Sequence, residues 1–450
     1  MKMIQKIMWV IVVSWLSINI NFINGQNCLP GDNSLSQDQI DDFAINYPGC
    51  KRILGNIEIH WNEITDLSGL SQISTIDGDL VILSANSLNN LNGLHNLTHI
   101  GGELRIQHNY HLNTLSALNN LTTIDGPLYI SNNDELQNLS GLNQLSNVGG
   151  TVFIGDNDTL SSLSGLNNLL SITGSLYIKD NPLLPNLNGL NNLVHIGAFL
   201  KIYNNESLTS LAGLDIVPYL PADVKIFNNP MLTNFTGLGN ITTIAGNFSV
   251  YDNASLTSMD GFFSLITIEG SLEIYNNDAL ENLDGLSNVI ALGGELLIYD
   301  NLELTSLIGL DYIDYSTITN LVLTHSPNLS FCHVQSICDY LSDPNNPATI
   351  DGNAVGCNTI NEVQQACISS SDPGVTNELQ LRVFPNPTRG RIQITGLDNG
   401  RVSIMDKLGR VVQSAELSET GIDISNLPNG VYFLQISSGN QWTTKRIVKQ

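Results

Sequence analysis

The chain is 450 residues long, 42% hydrophobic and 13% charged, with a formal net charge of −25. Its apolar content supports a sizeable core and excludes wholesale disorder. So large a deficit of cations excludes generic nucleic-acid binding, which needs lysine and arginine to displace phosphate counterions.

At the N-terminus, Lys2 and Lys6 flank the start of an apolar run from Ile7 to about Ile18, and polar residues follow from Asn19 to Gln26. This pattern predicts a secretory signal peptide over residues 1–25. The run is shorter than the ~20 apolar residues of a spanning helix, so the mature protein is expected to have no transmembrane span. An N-terminal cap is expected over 26–58, where Ser36-Gln-Asp-Gln39 forms a capping-box signature for a short helix through Asn46.

The middle of the chain is repetitive. Leu128-Tyr-Ile-Ser-Asn-Asn133 returns as Leu176-Tyr-Ile-Lys-Asp-Asn181 and Leu272-Glu-Ile-Tyr-Asn-Asn277. One apolar column keeps a 24-residue register through Leu67, Leu91, Leu115, Leu139, Leu163, Leu187, Leu211, Phe235, Met259, Leu283 and Leu307. The consensus is G-x-L-x-I-x-x-N-x-x-L-x-x-L-x-G-L-x-x-L-x-x-I-x. Its L-x-I segment alternates, so Leu and Ile point inward and the residues between them face out. Such a strand is too short to stand alone and becomes stable by stacking on its neighbours. A column of asparagines (Asn62, then Asn109 to Asn301) is expected to satisfy backbone groups at a buried bend, since a carboxamide both donates and accepts. Asp215-Ile-Val-Pro-Tyr-Leu-Pro-Ala-Asp223 departs from the consensus, and Pro218 and Pro221 predict a bulge at a corner of that rung.

These residues resemble the leucine-rich-repeat superfamily, most closely the receptor L-domain type of growth-factor receptor ectodomains. The resemblance spans about residues 27 to 368. It implies a mainly β fold: a right-handed leucine-rich-repeat or β-solenoid of about 12 rungs over 59–326, with disulfide-stapled caps. It says little about function.

Six cysteines fit an oxidising compartment. Cys28 and Cys50 precede the repeats, while Cys332, Cys338, Cys357 and Cys367 follow them in a C-terminal cap expected over 327–368. We expect Cys28–Cys50 as one bridge and two bridges among the other four. Three pairings are open there, and Cys332–Cys357 with Cys338–Cys367 is the working assignment. Thr359-Ile-Asn-Glu362 forms a second capping box, for a helix ending at Cys367.

Residues 369–380 read as a linker. Beyond it the repeat ends and short alternating strands begin, predicting a small β-sandwich. Residues 381–450 carry nine Lys/Arg against five Asp/Glu. Phe384-Pro-Asn-Pro387 with Gly390, Asp406-Lys-Leu-Gly-Arg410, Leu427-Pro-Asn-Gly-Val-Tyr432 and Lys445-Arg-Ile-Val-Lys449 resemble, in that order, the sorting domain of the type IX secretion system. This resemblance implies the type IX machinery as a partner and a protein that is secreted or attached to the outer-membrane surface.

No GxSxG, HExxH or P-loop is present, so no catalytic residue, cofactor or metal site is expected. His60, His108 and His111 could approach one another, but no acidic partner is apparent. The outward strand positions are more informative. One column includes Tyr129, Phe153, Tyr177, Lys201 and Lys225, and the other Lys179, Tyr203, Phe227, Tyr251, Tyr275 and Tyr299. Between residues 53 and 380 the only cations are Arg105, Lys179, Lys201 and Lys225, all in these columns. We therefore expect a non-enzymatic recognition protein binding an extended extracellular glycan or peptide along this face. The alternative is a structural surface-layer or cell–cell adhesion component, in which stacked tyrosines serve the sheet itself. Column residues Asp156, Asp180, Asp252 and Asp300 read as a solvated face.

Overall fold

The computed structural model describes residues 27–370 and most of 381–449. The expected signal peptide, most of the expected linker and the Asp406–Arg410 motif lie outside the described residues.

The repeats stack into a parallel solenoid. Its main sheet has 14 strands, running from Asp32–Ser34 through Asn56–His60 and Leu80–Leu83 to Leu321–Thr324 and Ala348–Asp351. The first and last of these belong to the caps, so twelve strands come from repeats. Register is strict: Leu176, Tyr177, Ile178 and Lys179 pair with Leu200, Lys201, Ile202 and Tyr203, and these with Val224, Lys225, Ile226 and Phe227. Inward members such as Ile178, Ile202 and Leu176 are fully buried, as are all eleven members of the apolar column from Leu67 to Leu307. Each buried aliphatic side chain stabilises by roughly 1.5–3 kcal/mol before entropy is counted.

A second, narrower ladder was not foreseen. Two-residue strands such as Thr123–Ile124, Asn147–Val148 and Ser171–Ile172 pair in parallel on another side of the rungs. This ladder is split into eight strands ending at His195–Ile196 and four beginning at Tyr219–Leu220. The split falls at the two prolines. Val194 and Gly197 donate backbone bonds to Leu170 and Ile172 of the preceding rung, and the residues one repeat later are Pro218 and Pro221, which have no N–H. The main-sheet strand Val224–Phe227 of the same rung keeps full pairing on both sides. The expected corner bulge is therefore a break in the small ladder, and the main sheet runs through undisturbed.

The asparagine column forms a buried ladder from Asn109 to Asn301. Asn205 is typical: its Nδ2 donates to Ile178 O at 3.1 Å and Tyr203 O at 3.0 Å, and its N–H donates to Asn229 Oδ1 at 3.2 Å. Asn62 does not belong to it. Asn62 is exposed, because its own bend is one residue shorter between Ile59 and Ile64 than the next rung's between Ile82 and Leu88; at the equivalent position in that rung, Ala85 N–H donates to Asn109 Oδ1. The residue before each ladder asparagine is left-handed, from Asn132 and Asp156 through Asp180, Asn204 and Asp252 to Asp300, with φ between 50° and 59°. Asn and Asp tolerate that region best among side-chain-bearing residues. The Asp/Asn column, exposed or half-exposed as a solvated face should be, thus also meets a backbone requirement of the corner. The L-x-G-L glycine is also constrained: at Gly213 φ is +121°, and a Cβ would lie 2.0 Å from Leu187 O.

Both caps carry helices. Gln37–Asp41 begins at the expected capping box, with reciprocal bonds between Ser36 and Gln39. Asp42 interrupts the helix, which resumes over Phe43–Asn46. In the C-terminal cap, Thr359 Oγ1 accepts from Glu362 N–H at 3.2 Å, but the Glu362 carboxylate reaches back to the N–H groups of Gly356 and Asn358. The helix runs from Ile360 to Ser370, past Cys367 and into the segment expected as linker. The bridges are Cys28–Cys50, Cys332–Cys357 and Cys338–Cys367.

The tail has its own core of Leu381, Ile392, Val402, Ile404, Ile422, Ile424, Tyr432, Leu434, Ile436 and Ile447. Small antiparallel sheets surround it, the larger ordered Val411–Glu416, Arg401–Met405, Gly430–Ser438, Gln441–Lys449.

Candidate ligand-binding face

The strand period brings every expected face residue to the outer side of the main sheet, half-buried among its neighbours. Two different aromatic arrangements result. In one column Tyr203, Phe227, Tyr251, Tyr275 and Tyr299 stack in parallel, with centroids 4.5–4.6 Å apart and planes within 5–10°. Strand spacing of ~4.8 Å imposes this stack once every rotamer agrees. The ring faces are used up against one another, so edges and hydroxyls are what this column offers a ligand. In the other column Tyr129, Phe153 and Tyr177 are 6.1 and 6.3 Å apart and tilted by 46–47°. Gly155 makes room for this looser packing: a Cβ there would lie 2.9 Å from the Phe153 ring and 3.0 Å from the Lys179 chain.

The cations sit over these rings. Arg105 lies 4.2 Å from the Tyr129 centroid, and Lys179 lies 5.8 Å from Phe153 and 5.9 Å from Tyr203. Lys201 stands between Tyr177 at 5.5 Å and Phe199 at 5.4 Å. Phe199, just before the strand and exposed, is a member of this cluster that the two outward columns did not include. A cation at such distances from an aromatic face is attracted by its quadrupole.

Charge balance divides the four. Arg105 forms two bonds with Glu103, at 2.8 and 3.0 Å. Lys179 bridges Asp156 at 3.0 Å and Asp180 at 2.7 Å. Partial burial pulls its ammonium down, but the bonds to Asp180 and Asp156 outweigh that and hold it above the ordinary lysine value. Among the described residues, no carboxylate pairs with Lys201 or Lys225. Burial pushes the Tyr203, Tyr251, Tyr275 and Tyr299 hydroxyls up, and nearby carboxylates push in the same direction.

The three histidines that could have met do not. His60 bonds to Ser34 at 2.6 Å, His111 pairs with Glu135 at 2.9 Å, and His108 lies against Tyr110. Among the described residues, no group of three or more His, Cys, Asp or Glu is placed to hold a metal ion. Asn96 and Asn120, each of which begins an Asn-Leu-Thr sequence, spend their Nδ2 groups on the carbonyls of Ser71 and His95 in the preceding rung. No described helix is long and apolar enough to cross a membrane.

Two family models match the chain. Residues 49–165 are similar to the Receptor L domain, and residues 382–450 to the Secretion system C-terminal sorting domain. No curated protein matches it. The first match ends before the strand bearing Tyr177, so Lys201 and Lys225 lie outside the matched stretch.

Proposed function

We propose that this receptor-L-domain-like leucine-rich-repeat solenoid, which carries a type IX sorting tail and is secreted or held at the outer-membrane surface, binds an extended ligand, a glycan or peptide, along its main-sheet face. Export explains why recognition would be directed at extracellular molecules. The observation that carries the reading is the confinement of the cations. In a chain of net charge −25, all four lysines and arginines between residues 53 and 380 stand among aromatics on one face. Solubility would be served by cations anywhere, and a scaffold has no need to gather them.

The parallel stack from Tyr203 to Tyr299 supports a second reading for that half of the face. Rings that bury one another's faces stabilise the sheet, as expected of a structural surface-layer or adhesion component. The two readings divide along the molecule, with binding assigned to the tilted rings and lysines.

Glycan and peptide arrays probed with the exported protein test this. Signals should fall for Tyr177→Ala and Lys201→Ala and persist for Tyr251→Ala. Array signals untouched by all three substitutions would leave the adhesion reading in its place.

A further inference from the structure

Lys201 and Lys225 face each other directly across paired strands. Neighbouring strands lie ~4.8 Å apart, and like charges placed opposite one another destabilise a sheet. The chain neutralises its other face cations with its own acids, Glu103 for Arg105 and Asp156 with Asp180 for Lys179. Among the described residues no carboxylate pairs with Lys201 or Lys225, although acids outnumber cations 42 to 17 in the chain; Asp223, two residues before Lys225, accepts instead from Asn247 N–H at 2.9 Å. The next residue in the column, Ser249, is buried and donates to Glu273, so the nearest acid along the column is engaged two strands away. An uncompensated pair of ammonium groups, flanked by Tyr177 and Phe199, is the arrangement an anion would complete.

We infer that the Lys201–Lys225 pair is the anion-binding centre of the face and that its ligand is an acidic polysaccharide. A carboxylate or sulfate lies between the two ammonium groups, and a sugar ring rests against Tyr177 and Phe199. This rests on the reading of the main-sheet face as the binding surface and deepens it to a ligand class. A polysaccharide is favoured over an acidic peptide by the backbone. The strands Leu200–Tyr203 and Val224–Phe227 are paired on both sides, so no ladder groups remain for an extended peptide to add to. Recognition here depends on side chains alone. An aromatic plane beside a cation matches the apolar face of a pyranose beside its acidic substituent.

Binding of the exported protein to four polymers tests the inference: polygalacturonate, dextran sulfate, neutral dextran and polyglutamate. Either acidic polysaccharide should bind and dextran should not, and the one preferred identifies carboxylate or sulfate as the anion. Binding should weaken as salt rises, because the Debye length contracts to ~8 Å at physiological ionic strength. Lys201→Gln and Lys225→Gln should each weaken it about tenfold, as expected for loss of a charge contact, without lowering the melting temperature. Lys51→Gln, in the N-terminal cap, should leave it intact. Polyglutamate binding as tightly as the polysaccharides at equal charge overturns the ligand class. Lysine variants that bind like the parent overturn the centre. If Tyr177→Ala nevertheless reduces neutral glycan or peptide signals on an array, the β-face reading survives this failure; if no face substitution alters any binding, both fall.

Discussion

Asn205 and Asn229 are joined by two hydrogen bonds, because Asn229 Oδ1 accepts both the N–H and the Nδ2 of Asn205, each at 3.2 Å. Asn109, Asn133, Asn181, Asn229, Asn253 and Asn277 repeat this joint with their own partners, and Asn157 keeps the Nδ2 bond to Asn181. Asn205→Ala removes the acceptor of Asn181 N–H and a donor to the Ile178 carbonyl. Each buried group left unmatched costs about 1–3 kcal/mol, so the variant should lose on the order of 3 kcal/mol. Chemical denaturation, with the exposed Glu206→Ala as control, reads this directly. Equal midpoints for the two variants would show that the carboxamide ladder is dispensable.

Tyr251 stacks on Phe227 at 4.5 Å and on Tyr275 at 4.6 Å. Aromatic pairs contribute about 0.5–1.5 kcal/mol each beyond area burial. Tyr251→Ala should therefore lower stability by roughly 1–3 kcal/mol while sparing ligand binding. Calorimetric melting beside the array measurement separates the two effects. A variant that melts normally but loses binding would make the stack a contact surface.

The same column predicts alkaline sensitivity. Burial, with carboxylates and neighbouring phenols behind it, raises Tyr203, Tyr251, Tyr275 and Tyr299 in the folded state. An unfolded tyrosine ionises near ~10, so above that pH the unfolded chain binds fewer protons than the folded one. The contribution is fully present below pH ~10 and is lost as pH rises toward the folded values. Phenolate absorbance should appear late for these residues, and Tyr275→Phe should flatten the decline of melting temperature between about pH 10 and 12. An identical pH profile for parent and variant would contradict it.

Cys338–Cys367 links the cap helix Gln335–Tyr340 to Ile360–Ser370. Removing a bridge of this kind costs about 2–4 kcal/mol. Paired Cys338→Ser and Cys367→Ser substitutions should expose the cap to limited proteolysis while the central rungs stay protected in hydrogen exchange. Uniform loss of protection along the solenoid would instead mean that the cap governs global stability.

The solenoid and tail cores share no residue. Deleting 381–450 should leave a folded, disulfide-bonded solenoid that no longer reaches the surface or the medium. Cell fractionation and circular dichroism give the two readouts. A truncated chain still exported would remove the sorting role from the tail, and one that misfolds would make the tail structural.

Much of this architecture is legible in the residues because a 24-residue period repeats the same physics many times. The inward Leu and Ile columns, the asparagine ladder and the cap cysteines could all be read that way. The two-residue strands of the second ladder could not, since Thr123–Ile124 is too short to show any period. That Asp156 and Asp252 stand at left-handed corners is not legible, because side-chain polarity does not report backbone conformation. At the candidate site, the columns containing Tyr203 and Lys201 were evident, but ring orientation was not. Whether tyrosines stack or splay depends on rotamers shared across strands, and on small neighbours such as Gly155. Phe199 went unnoticed because it precedes its strand and belongs to neither alternating column.

Because each ladder asparagine meets a chemically identical partner 24 residues on, the joint between any two central rungs is interchangeable with the next. Duplicating or excising one whole unit between Asn109 and Asn301 would recreate every carboxamide bond at the seam. The solenoid's length is therefore a quantity that gene rearrangement can change in whole units without redesigning a bend. At Ala85 and Ser326 that interchangeability stops: Ala85 has no carboxamide to offer the rung before it, and Asn301 N–H finds the Ser326 hydroxyl at 3.3 Å instead of another asparagine. These two positions bound the stretch that can be copied, and the caps beyond them must be inherited intact.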